Sequence, residues 1–152
     1  MATPYDNIHN RVIRKISDRD LLELLQLDAT YLDDFLYSAL VNFRTSKVDL
    51  SDRNETNREF NDTLSEIEEE ILGLFEVIEW LTPQIYSIDL LKQNMSTKDY
   101  KLTSQANHLE KLKILLEESQ IRAERLRIIY NFETTSLDDL LLLNMECQMS
   151  IF

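Results

Sequence analysis

The chain has 152 residues with one glycine, two prolines, one cysteine and a formal net charge of -12. The length suits one domain with its own core, and the scarcity of glycine and proline excludes a turn-rich, strand-dominated fold. The charge opposes general binding to a phosphate backbone, the lone Cys147 excludes an internal disulfide framework, and no uncharged apolar run approaches the roughly 20 residues of a membrane helix. Residues 1–16 read as an extended N-terminal arm without the apolar core of a leader. Its cluster of Arg11, Arg14 and Lys15 is interleaved with Val12, Ile13 and Ile16, which suits packing on another surface, such as a neighbouring subunit, better than a polybasic tail.

A helical domain is expected over 17–133. Ser17 can cap a short helix carrying Leu21, Leu22, Leu24 and Leu25, and Asp28 can cap the next, over about 29–44. Tyr31, Leu32, Phe35, Leu36, Leu40 and Phe43 share the apolar face of that second helix, with Asp33 and Asp34 outside it. The polar stretch 45–56 then reverses the chain.

The dominant signal follows. Phe60, Leu64, Ile67, Ile71, Leu74, Ile78 and Leu81 recur at gaps of 4, 3, 4, 3, 4 and 3, the spacing of a coiled-coil seam. The pattern predicts a helix over about 57–81, capped from Asn54, Thr56 or Asn57 and stopped by Pro83. Gly73 lies inside it, where close approach of a neighbouring helix would explain its cost of about 1 kcal/mol relative to alanine. Glu66, Glu68, Glu69, Glu70, Glu76 and Glu79 are expected on the opposite, solvated face.

An elbow with Ile85, Ile88, Leu90 and Leu91 leads to a second long helix, over about 96–130, opened by Ser96 with Asp99 at the capping-box position. Leu102, Leu109, Leu116, Ala123 and Tyr130 form one line of its heptad, and Gln105, Leu112, Ser119 and Leu126 the other. Two seams of similar length joined by an elbow predict an all-α fold, an elongated antiparallel helical hairpin or bundle with shorter N-terminal helices. Ser136 can cap a last short helix in an apolar tail, 134–152. That tail is expected to dock through Met145, Met149, Ile151 and Phe152, the alternative being a fold-back onto its own hairpin.

Candidate chemistry is sparse. Three residues before His108 stands Gln105, and three before His9 stands Asp6 rather than a glutamate, so the Glu-x-x-His of di-iron helices is absent, and one cysteine cannot build a zinc site. A glycine-rich phosphate loop needs more than Gly73. Glu68, Glu69 and Glu70 are consecutive and point in different directions around a helix. The reading is of a protein without an active site or cofactor.

The segment Lys98, Asp99, Tyr100, Lys101, Ser104, Gln105, Ala106, Asn107, His108 and Leu109, placed after an elbow, resembles a helix start in virion proteins of tailed bacteriophages, near the neck or head–tail connector (adaptor) proteins. The resemblance covers about half the chain, including the layout of 60–94. It implies a structural subunit of a homo-oligomeric ring, often of twelve copies, that bridges portal and tail or neck proteins. Its place would be the virion, and the host cytoplasm during assembly. Glu66, Glu69, Glu70 and Glu76 would face a channel through which DNA passes without specific binding, and the apolar tail would dock on a neighbouring ring. A cytoplasmic helical regulator or assembly chaperone, and a tail or baseplate protein, are the alternatives.

Overall fold

A computed structural model describes residues 1–94 and 101–149. The Ser96 cap, Asp99, most of the Lys98–Lys101 motif, Ile151 and Phe152 lie outside the described residues, and the side chains of Leu90, Leu91, Leu102 and Gln105 lie outside the described side chains. Within those limits the molecule contains strand β1 (Thr3–Pro4), helices α1 (Tyr5–Ile16), α2 (Arg19–Leu27) and α3 (Asp33–Asn42), strands β2 (Arg53–Asn54) and β3 (Glu59–Phe60), and helices α4 (Glu66–Asn94), α5 (Lys101–Thr134) and α6 (Leu137–Met149). The expected antiparallel pairing of two long helices is present, as α4 against α5. At 1.5 Å per residue they run about 44 and 51 Å.

The N-terminal arm is not extended beyond β1. It forms α1, whose Tyr5, Ile8, His9 and Val12 are buried against its own chain, chiefly on α4. Asp18, rather than Ser17, caps α2 by accepting from the Asp20 amide at 2.8 Å. Asp28 does not cap a helix; it accepts from the Thr30 amide and hydroxyl, holding a turn that delays α3 to Asp33.

The long helix begins later than the heptad indicated. Phe60 belongs to β3, at the centre of a small antiparallel sheet of order β1-β3-β2, with Thr3 and Arg53 opposite Phe60 and Pro4 and Asn54 opposite Glu59. Leu64 precedes the helix, and its amide donates to Thr3 Oγ1 at 2.9 Å. Both side chains remain in the core, so they hold the apolar seam ahead of the first helical turn. The start is set by a capping box at Ser65. The Ser65 amide donates to Glu68 Oε2 at 2.7 Å while Ser65 Oγ accepts from the Glu68 amide at 3.4 Å. Glu66, Glu68 and Glu69 in the first turn favour the positive end of the helix dipole.

Pro83 does not stop α4, which continues to Asn94 and absorbs the expected elbow residues Ile85 and Ile88. A proline inside a helix costs about 3 kcal/mol. Burial of Val77, Trp80, Leu81 and Ile85 around it offsets that cost. Pro83 itself is exposed, so the Glu79 carbonyl that loses its donor lies on the solvent side.

Residues 71–77 of α4 are buried without interruption. Ile71, Leu72, Leu74 and Phe75 join Tyr5, Ile8, Leu36, Phe43, Phe60, Ala123 and Tyr130 in one core cluster, while Val77, Trp80 and Leu81 join Val12, Leu21 and Leu32 in another. α4 is thus enclosed by α1, α3 and α5. Its seam residues Ile67 and Ile78 pack on the first cluster, as does Leu126 of α5. Leu112 and Leu116 pack on the second cluster, and Leu109 is buried.

Gly73 marks a close approach, made by α1. A Cβ built there would stand 3.3 Å from Arg11 Cβ and 3.8 Å from the Ile8 carbonyl oxygen. Gly73→Ala sets that tight contact against a helix-propensity gain of about 1 kcal/mol, so its urea midpoint is expected close to the parent's. Gly73→Val adds two methyl groups in the same gap and is expected to lose about 1–3 kcal/mol by pushing α1 away. Equal midpoints for the two variants would remove the close-approach explanation.

Candidate functional site

The acidic residues of α4 do not form one solvated face. Glu76 is 0% exposed. Its Oε1 lies 2.7 Å from His9 Nδ1, and the other ring nitrogen, Nε2, lies 2.9 Å from Asp33 Oδ1. Asp33, expected outside the apolar face of its helix, is buried, and it also accepts from Arg58, whose Nε reaches Oδ2 and Nη2 reaches Oδ1, each at 2.8 Å. Arg58 further donates to the Ala29 carbonyl at 3.0 Å and pairs with Asp6 at 3.2 Å. It sits at φ 55°, a left-handed conformation that costs a non-glycine residue about 1–2 kcal/mol. The bidentate pair with Asp33 compensates.

This cluster links α1, α3, α4 and the β2–β3 turn. Two acids, an imidazolium and a guanidinium balance in charge, as burial requires. Burial disfavours the charged His9 ring, yet Glu76 and Asp33 outweigh it and raise its pKa. Burial raises the Glu76 carboxyl, and His9 offsets this only in part. Burial works the same way on Asp33, but Arg58 and His9 overcome it and hold that carboxyl below its usual range. A histidine between two carboxylates has the parts for proton transfer. Here both ring nitrogens and both Asp33 oxygens are already engaged, and His9 is 4% exposed. The geometry serves to join helices.

Glu69 and Glu70 are half-buried and hold the basic cluster of the N-terminal segment. Arg11 reaches Glu69 Oε2 and Glu70 Oε2 at 3.1 Å each, and Lys15 reaches Glu70 Oε1 at 2.8 Å. Arg122 of α5 approaches Glu70 at 3.4 Å. Burial alone would raise the Glu70 carboxyl, but Lys15, Arg11 and Arg122 lower it. Glu68 is buried and accepts from the Tyr130 hydroxyl at 2.7 Å, which in turn accepts from the Lys47 amide at 2.8 Å. Of the four acids expected to face a channel, Glu66 alone is exposed; Glu76, Glu69 and Glu70 are spent on internal pairs because α1 and α3 cover that side of α4.

The unpaired surface lies elsewhere and is apolar. On α5, Ile121 (55% exposed), Ile128 (58%) and Phe132 (85%) stand on the face opposite Ala123, Leu126 and Tyr130. Ile128, Phe132 and Leu140 line a groove where α5 meets α6. Every described side chain of α6 is exposed, including Met145 and Met149, so among the described residues no side chain of the tail is buried on the hairpin. Ser136 caps α6 as expected: its Oγ accepts from the Asp139 amide at 3.1 Å. Among the described residues no helix is long and apolar enough to cross a membrane, and no group of three His, Cys, Asp or Glu residues is placed to hold a metal ion.

Sequence reasoning overlooked His9, Asp33 and Arg58 as one unit, because they are distant in sequence. One signal was present: Leu72, Phe75, Val77 and Trp80 lie off the heptad seam, so α4 is apolar beyond a single stripe and must be covered on further sides. An acid within that stretch then needs a buried partner. Comparison with protein-family models, curated proteins and solved structures finds no match to this chain.

Proposed function

We propose that the chain is a non-enzymatic structural subunit of a tailed-phage particle, a ring-forming head–tail connector that bridges portal and tail or neck proteins. The observation that carries the non-catalytic part is the division of the surface. The buried titratable groups described above are engaged by internal partners, although Glu76 Oε2 has none, whereas the apolar faces of α5 and α6 are unpartnered among the described residues. Such faces serve contact with other chains. The resemblance around Lys98–Leu109 supplies the kind of assembly. The net charge of -12 suits a component that DNA passes without sticking, although Glu69, Glu70 and Glu76 do not furnish a free acidic face.

The test is to delete the reading frame from the phage genome that carries it and examine the particles. Expected are filled heads without attached tails, restored by supplying the protein in trans, and the protein itself detected in purified wild-type particles by mass spectrometry. Tailed, infectious particles after deletion would overturn the reading. A protein needed for assembly yet absent from the finished particle would favour an assembly chaperone instead.

A further inference from the structure

α5 carries two apolar seams. The inner one packs on α4. The outer one runs Ile114, Glu118, Ile121, Arg125, Ile128 and Phe132, at gaps of 4, 3, 4, 3 and 4, along an exposed face that meets the chain's own α6 only at Leu140, beside Ile128 and Phe132. This is heptad spacing, and its natural occupant is another α-helix. A helix apolar on two opposite faces is one that buries both.

We infer that the outer face of α5 receives α6 of a second copy of this chain. Three observations select that occupant. The first is form: Leu141, Leu142, Met145 and Met149 occupy about 100° of one face of α6, are all exposed, and include the heptad gaps 142–145–149. The second is length. The segment from Ile121 to Phe132 and the 13 residues of α6 each span roughly 17–20 Å. The third is charge. α6 carries Asp138, Asp139 and Glu146 and no base, while on Ile121–Phe132 Arg122 is turned to Glu70 and Arg127 to Glu124, which leaves Arg125 as the base available to an acidic helix. Exposed Arg125 lies on the outer seam itself, among Ile121, Ile128 and Ile129.

Each copy then offers one helix and one groove, a head-to-tail contact that closes into a ring where the rotation permits. This names the subunit contact that the connector reading requires, and it rests on that reading. Leu140 is excluded from the transferred face because it lines the groove beside Phe132.

The experiment uses the full chain and two exposed substitutions, Ile128→Asp in the groove and Met145→Asp on α6, measured by sedimentation at roughly 100 µM, a hundredfold above a micromolar Kd. The parent is expected to exceed the 18.0 kDa monomer mass. Each variant is expected to sediment as a monomer with unchanged helicity. An equimolar mixture of the two retains one intact contact and is expected to form a dimer. A monomeric parent, a variant that keeps the parent's mass, or a mixture that stays monomeric would overturn the inference. A monomeric parent whose melting both variants lower sharply would show α6 folded onto its own α5. A parent oligomer indifferent to both substitutions places the ring contact on another surface and leaves the connector reading standing. Absence from particles sinks that reading without touching the measured contact.

Discussion

Replacing Glu76 by alanine is expected to lower stability by about 3–5 kcal/mol, because it strands a buried histidine charge beside Asp33. At 2–4 °C per kcal/mol for a domain of this size, that is a fall of roughly 10 °C in melting temperature. Glu76→Gln keeps an acceptor for His9 Nδ1 and should lose less. The same cluster sets a pH dependence. The folded His9 binds its proton more tightly than the unfolded ring, so its contribution is fully present below pH 6.5 and is lost as pH rises through the raised folded value. Glu76, also raised from 4.5, has the same sign. Asp33 has the opposite one: its contribution is present above 3.8 and lost as pH falls through the lowered folded value. The melting temperature of the parent should therefore fall from pH 6.5 towards 9, and His9→Gln should be less stable at pH 6 with a flatter slope above it. A variant whose profile parallels the parent's would show that His9 does not hold the cluster together.

Ile71→Asp has the larger effect in the core proper. Ile71 is 0% exposed and enclosed on α4, so the substitution removes a packed side chain and buries a carboxylate without a partner. A loss of at least about 4 kcal/mol is expected, against a total stability of 5–15 kcal/mol for a typical domain. Circular dichroism should show a chain largely unfolded, or melting more than about 10 °C lower. Leu112→Asp offers a contrast. Leu112 is half-buried, so its aspartate can turn towards water, and the loss should be markedly smaller. Two variants with equal, small effects would contradict the placement of Ile71 at the centre.

Placement of the charges was the least legible part. Arg58 is the one base between Asn54 and Leu81, and its role depends on a turn that brings it to Asp33, 25 positions away. The basic residues Arg11 and Lys15 were correctly read as belonging to a segment that packs on something. The surface they pack on is α4 of the same chain. The exposed apolar tail was legible, since its leucines and methionines leave little polar face, and the structure leaves the described part of α6 uncovered.

The sequence by itself determined the helical class, the pairing of α4 with α5, and the heptad faces that meet, because coiled-coil spacing is a local property of one helix. Only the tertiary structure decided where α4 begins and that it passes through Pro83, since a capping box and surrounding burial outweigh a single breaker. It alone decided that Glu76, Glu69 and Glu70 are inward partners rather than a solvated stripe. The physical reason is that a glutamate's environment is set by whichever helix covers it, and α1 and α3, from the other end of the chain, cover the side of α4 that its own periodicity marked as free.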